Sequence, residues 1–238
     1  RNFHGHWSEA YLPFGDLNIE YSKSTKKGYE RTLDLEKGLS ITKSDLLTQT
    51  VFVSCPSQLL VVNVKANEPI SARVQLFSKL RHKCYTDEDM LVIEGKAPEI
   101  CMPPYYNTGN VFDYGVKSGT AGSIALLGEG VMSFAGAVKV LGTATFDDDT
   151  IVITNQTEFT LLVSLATNFV DFKSMPEGDA LEKAKEHFVN IRPYGELLRE
   201  HTDDFSALFN RVDVDFGSER ADVPTDKRLK QFKKGADD

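Results

Sequence analysis

Four short stretches carry residue types that could do chemistry. His4-Gly-His6 sets two imidazoles on one side of an extended segment, with Trp7 beside them. A zinc site would need further ligands at tetrahedral geometry, and no spacing supplies them. The plainer reading is an N-terminal strand or loop. His82-Lys-Cys84 has the same alternation. A Cys–His nucleophile needs an orienting third group and an oxyanion site. Neither is visible, so an exposed strand end is expected. Asp147-Asp-Asp149 offers carboxylates to calcium but lacks the spacing and the glycine of an EF-hand loop. It reads as a charged hairpin tip. Asn155-Gln-Thr157 is an acceptor pattern for N-glycosylation, which matters only in a eukaryotic secretory pathway.

Larger signatures are missing. The sequence holds no GxSxG, no HExxH and no Gly-rich phosphate loop. Gly119 to Gly122 does not lead from a strand into a helix. The 35 acidic residues offer many carboxylate pairs for acid–base work, yet none stands out by position. No catalytic residue, no metal and no cofactor is therefore assigned from spacing.

The elements that would position any site are mostly strands. In Asp16 to Tyr21, Leu17, Ile19 and Tyr21 alternate with Asp16, Asn18 and Glu20, the mark of a half-buried strand. Tyr29 to Leu35 alternates again, and Leu39 to Lys43 follows a turn at Gly38. Short strands joined by Gly-containing turns predict an antiparallel meander. Further strands are expected at Thr48–Ser54, Leu59–Val64, Ala72–Leu80, Met90–Glu94, Val111–Val116, Ser123–Leu127, Ala137–Thr145, Thr150–Thr154 and Thr160–Leu165. Ala97 to Asn110 is the least regular stretch and reads as a long surface loop.

After Ala166 the character changes. Asp179 with Glu182 has capping-box spacing and precedes a helical run to Val189. Pro193 suits a first helical turn. Tyr194, Leu197, Leu198, His201, Phe205, Leu208, Phe209 and Val212 then form one apolar helical stripe, about 28 Å long at 1.5 Å per residue. Val212 to Phe216 alternates as a last strand, and Pro224-Thr225 opens a basic helical tail with Leu229 and Phe232 on one edge. The fold class is mostly β: a large antiparallel β-super-sandwich with a few helices toward the C-terminus.

Composition bounds the rest. A chain of 238 residues buries roughly 70% of its unfolded surface and needs no staples. Its three cysteines, Cys55, Cys84 and Cys101, form no CxxC pair and are expected to be reduced. A net charge of −8 argues against a nucleic-acid surface, and no apolar run is long enough for a membrane span.

Five phrases in order carry a family resemblance. Phe14-Gly-Asp-Leu-Asn-Ile-Glu-Tyr21 is followed by Tyr29-Glu-Arg-Thr-Leu-Asp-Leu35, and then by Phe52-Val-Ser-Cys-Pro-Ser-Gln-Leu-Leu-Val61. Late in the chain come His201-Thr-Asp-Asp-Phe-Ser-Ala-Leu-Phe-Asn-Arg-Val212 and Pro224-Thr-Asp-Lys-Arg-Leu229. Together they resemble the N-terminal domain of glycoside hydrolase family 95, the α-L-fucosidase family. The resemblance implies a β-super-sandwich domain over residues 1–217 and, over 218–238, the start of a linker toward a helical (α/α)6 catalytic barrel. It also implies that the family's first strands precede this chain. The barrel would carry the acid and base of an inverting mechanism, so no catalytic residue is carried onto residues 1–238. The implied partners are that barrel and, through the intact protein, an oligosaccharide. By the same analogy the implied location is periplasmic or secreted. Cut free, the domain is expected to expose an apolar patch and to self-associate.

One stretch matches no phrase of the family: Cys101-Met-Pro-Pro-Tyr-Tyr-Asn-Thr-Gly109. Aromatic rings on a loop can stack on sugar faces, which makes Tyr105 and Tyr106 the candidate substrate contacts. A stand-alone carbohydrate-binding, lectin-like β-sandwich is the alternative reading.

Overall fold

The structure, a computed structural model, describes residues 11–102, 125–127, 132–214, 217 and 223–235; for Met102 and residues 125–127 it describes the backbone alone. Twelve strands come first among these: β1 (Asp16–Tyr21), β2 (Glu30–Asp34), β3 (Leu39–Lys43), β4 (Leu47–Ser54), β5 (Leu59–Phe77), β6 (His82–Asp87), β7 (Met90–Lys96), β8 (Ile100–Met102), β9 (Ala125–Leu127), β10 (Ser133–Leu141), β11 (Thr145–Asp147) and β12 (Thr150–Thr167). Three helices follow: α1 (Ala180–Glu186), α2 (Tyr194–Phe209) and α3 (Thr225–Phe232). The mostly-β expectation with helices toward the C-terminus holds.

Ten strands form one antiparallel sheet in the order β2-β3-β4-β5-β12-β10-β7-β6. β1 adds to the far half of β5, and β11 adds to the first half of β12. Two layers arise from one sheet because β5 and β12 are very long and bend together. Their register shifts twice between Ile153 and Glu158. Asn155 sits at that break with φ of 52°, a left-handed conformation that asparagine tolerates better than most residues. Opposite lies the exposed Asn67-Glu-Pro69, where proline can forgo its ladder hydrogen bond.

Alternation then assigns the two faces of the sheet. Val62, Val64, Leu161 and Val163 point inward and share a core with Leu91, Ile93 and Val138 of the near layer. Ile70, Val74, Ile151 and Ile153 of the far layer close over them. Phe52, Val61, Val92, Ala135, Ala137 and Leu162 point outward, and α1 and α2 cover them. Each large side chain buried in these cores is worth roughly 1.5–3 kcal/mol.

The helices dock as their sequences dictate. Asp179 caps α1, its carboxylate accepting from the Leu181 and Glu182 amides at 2.7 and 3.3 Å. Ala180, Leu181 and Ala184 face the sheet. On α2, Leu197 and His201 are buried, whereas Leu208 and Phe209 are exposed.

Several sequence expectations are corrected. The separate strands expected at 59–64 and 72–80 belong to one strand, as do those at 150–154 and 160–165. Pro69 and Asn155, which lie in the gaps between those expected strands, mark bends. His82-Lys-Cys84 is the expected strand end, the start of the edge strand β6. The helix stripe expected to reach Val212 stops at Phe209. The strand expected from Val212 has no pairing over 212–214. The strand expected at 111–116 and the run His4 to Trp7 lie outside the described residues.

Gly95 on β7 shows how tightly the sheet edge is packed. A Cβ there would fall 2.3 Å from both the Arg81 carbonyl oxygen and the Phe134 ring. Gly95→Ala is expected to destabilise the fold by about 1–3 kcal/mol through overpacking, read as a lower urea midpoint at unchanged m-value.

Candidate functional site

Alternation across β4, β5 and β12 places a polar stripe on the helix-covered face. Thr50 pairs with Asn63, and Asn63 with Thr160. One step further along the strands, Thr48 pairs with Lys65, and Lys65 with Glu158. Where the stripe meets the start of α2, a groove of about 440 Å³ opens between Leu141, Glu158 and Thr160 on one side and Ile191 to Tyr194 on the other.

Burial gives the groove its character. Asn63 and Thr160 are buried, and the Asn63 amide donates to the Thr160 hydroxyl oxygen at 2.9 Å. Lys65 meets Glu158 at 3.2 Å and lies over the Tyr194 ring. Arg192 holds Glu200 through two contacts, at 2.7 and 3.0 Å. Burial raises the Tyr194 phenol above its ordinary value, against the opposing pull of its hydrogen bond with Thr50 and of the Lys65 ammonium. Each carboxylate here is held by a cation, so the groove offers hydrogen-bonding groups and an aromatic edge rather than an acid–base pair.

The α2 helix is fixed to the sheet by an aromatic ladder. The His201 ring stacks on Phe52 at 4.7 Å and on Phe205 at 5.9 Å, and Phe205 stacks on Phe209. His201 Nε2 lies 3.0 Å from the Lys37 carbonyl oxygen and 3.3 Å from that of Gly38, a donor's geometry. The Ser206 hydroxyl donates to the Glu36 carbonyl at 3.0 Å. The late His-containing phrase of the sequence is thus a staple between α2 and the β2–β3 turn.

The other candidates fall elsewhere. His82 Nδ1 sits 2.7 Å from the Leu80 carbonyl oxygen, and the Cys84 thiol donates to the Leu76 carbonyl at 3.2 Å. Each ring or thiol serves the backbone, and the two form no pair. Burial, with Asp149 nearby, pushes the Cys84 thiol up to about 11, the opposite of an activated nucleophile. Asp147-Asp-Asp149 is the expected hairpin tip, with Asp148 at φ 52° and Asp147 paired to Thr150. Among the described residues no cluster of three or more His, Cys, Asp or Glu could hold a metal. Tyr105 and Tyr106 lie outside the described residues, as do His4 and His6.

Sequence reasoning missed one pair. Ser164 Oγ and His187 Nδ1 are 2.7 Å apart, joining β12 to the end of α1. Ser164 is fully buried. The two lie 23 positions apart in different elements, and only the docking of α1 brings them together. Among the described residues no third group orients the pair as a triad would, and it acts as a tie.

Residues 1–171 match the model of the glycosyl hydrolase family 65 N-terminal domain. The chain belongs to that family. It is also similar to Alpha-L-fucosidase 2 of Arabidopsis thaliana, 25% identical over 260 aligned residues. That alignment covers 98% of this chain and 30% of the relative, so the chain spans under a third of the relative's length. A solved structure described as a kojibiose phosphorylase from human microbiome aligns with a TM-score of 0.38 at 11% identity, over 79% of this chain and 28% of the other. The motifs resemble family 95 and the matched model is of family 65. Their common ground is an N-terminal domain of a glycoside hydrolase family. No helix among the described residues is long and apolar enough to cross a membrane.

Two outcomes follow from these contacts. His201→Ala is expected to cost about 2–4 kcal/mol, from the cavity beside Phe52 and the orphaned Lys37 carbonyl, read by urea denaturation. In the native protein at pH 8 a disulfide reagent is expected to label Cys55, which is exposed, within minutes. Cys84 and Cys101 are expected to react only after denaturant is added; rapid native labelling of Cys84 would contradict its placement.

Proposed function

We propose that residues 1–217 are the non-catalytic N-terminal domain of a carbohydrate-active hydrolase resembling inverting α-L-fucosidases. Residues 218–238 then begin the linker toward a helical (α/α)6 catalytic barrel. The carrying observation is the alignment with the fucosidase, which uses nearly all of this chain and leaves most of the relative's length outside it. The ordered phrases from Phe14 to Leu229 support the finer assignment to family 95.

The chemistry is consistent with that division. Inversion needs an acid and a base roughly 6.5–9.5 Å apart across the sugar, with room for a water between them. Glu158, the one carboxylate among the described residues that lines the groove beside α2, is tied to Lys65, and Glu200 nearby on α2 is tied to Arg192. α3 supports the linker role: it buries no residue, and its Leu229 and Phe232 stand exposed on one edge. In this reading the domain packs against the barrel and shapes one wall of the active site, so that the oligosaccharide is met by the intact protein.

A second reading, a stand-alone carbohydrate-binding module, draws on the groove itself. The groove sets Glu158, Arg192 and the Tyr194 ring around one opening, groups that suit a polyhydroxylated ligand.

The test compares release of L-fucose from a fucosylated oligosaccharide by this chain and by the intact parent at equal molarity. Release by the parent alone is expected. Turnover by the 238-residue chain would overturn the assignment. Saturable binding of the oligosaccharide by the chain, with an inactive parent, would favour the second reading.

A further inference from the structure

The loop between β12 and α1 is built in an unusual way. Its neck is closed: the buried Asn168 accepts from the Ser133 amide through its side chain at 2.8 Å and donates its own amide to the Ser133 carbonyl at 3.1 Å. The Glu177 amide closes the other side by donating to the Asn168 carbonyl at 2.9 Å. Within the loop, the Asp171 carboxylate accepts from the Lys173 and Ser174 amides, at 2.7 and 2.8 Å, which fixes the turn and holds that carboxyl below its ordinary value. Yet this ordered loop shows water its apolar side chains: Phe169, Val170, Phe172 at 87% exposure and Met175 at 69%.

The same end of the sheet continues the surface. Val53 and Leu165 belong to the inward face by alternation, but they lie past the region that the far layer covers, at 66% and 45% exposure. A loop ordered by hydrogen bonds while holding four apolar side chains in water is the form of a preorganised docking element.

Direction identifies the occupant. α2 starts over Thr50 and Lys65 and finishes against the β2–β3 turn, where Ser206 bonds Glu36. The register puts that turn at the end of the sheet where β4 finishes and β12 exits. The chain is thus delivered to the end that carries the apolar surface, and most of the fucosidase relative's length lies outside the aligned part.

We infer that Val53, Leu165 and the Phe169–Met175 loop form the seat for an apolar face of the polypeptide that follows α3 in the parent protein. This rests on the reading of the chain as an N-terminal domain. It goes further by naming the contact face, and it makes the exposed edge of α3 secondary to it.

Hydrogen–deuterium exchange on the intact parent, beside the 238-residue chain, tests the assignment. Amides of residues 169–176 are expected to exchange about tenfold or more slowly in the parent. The double variant Phe172→Ser, Met175→Ser is expected to leave the melting temperature of the isolated chain unchanged and to abolish that protection in the parent. Equal exchange of this loop in an active parent would overturn the inference while leaving the domain assignment intact, and so would protection confined to Leu229 and Phe232. A parent with no further folded domain would instead remove the reading on which the inference rests. A dimer of the isolated chain that the double variant dissociates, with no change in the parent, would make a second copy the occupant and also overturn it.

Discussion

Everything in this domain depends on the pairing of β5 with β12. These two strands lie at the centre of the sheet, and each takes part in both layers. Backbone hydrogen bonds oblige a strand's neighbour to follow it, so a bend in one must be matched by a bend in the other. Asn155 and the flanking register shifts supply the bend on β12, and Asn67-Glu-Pro69 supplies it on β5. Once both have turned, Ile70, Val74, Ile151 and Ile153 arrive above Val62, Leu161 and Val138. The inner core is therefore a consequence of strand pairing, and β1 and β11 have edges to join only because the far halves exist.

The outer face follows from the same pair. Alternation along β5 and β12 sends Val61 and Leu162 outward beside Phe52, and the apolar stripe of α2 has nowhere else to go. Farther along those strands, Asn63, Thr160, Lys65 and Glu158 occupy the same outward positions and are polar. The helix layer therefore stops where the sheet turns hydrophilic, and the groove beside Tyr194 marks that boundary. Site and fold are read from one alternation.

How much of this was legible in the sequence depends on the range of the interaction. Local signals were. The Asp179 cap, the Asp148 hairpin tip, the meander from β2 to β4 and the buried start of α2 were all written within a few residues. Long-range geometry was not. Pro69 and Asn155 are turn-formers by local preference, and only the strand partner shows that each bends a continuing strand. The alternation of Val212 and Val214 promised a strand, but alternation states a readiness to pair and cannot provide an edge. Ser164 and His187 meet only because α1 folds back on β12. The phrases that pointed to the family turn out to serve the fold: His201 bonds the β2–β3 turn, and Phe52 is the ring it stacks upon.

That last point bears on what the recognisable phrases do in this chain. The His201 staple restricts both the position and the heading of α2, because the ring is held flat by Phe52 and its Nε2 points at the Lys37 and Gly38 carbonyls. Gly38 itself has φ of 64°, and a Cβ there would fall 3.0 Å from the Phe205 ring. A side chain at that position would push α2 away from the turn. A helix that merely lay on a sheet by apolar contact could slide or rotate at little cost, since dispersion is not directional. Hydrogen bonds and ring stacking remove that freedom. The angle at which α2 leaves the sheet sets where the chain after it begins. Ring stacking and hydrogen bonds thus fix the heading of α2, and with it the direction in which the chain continues.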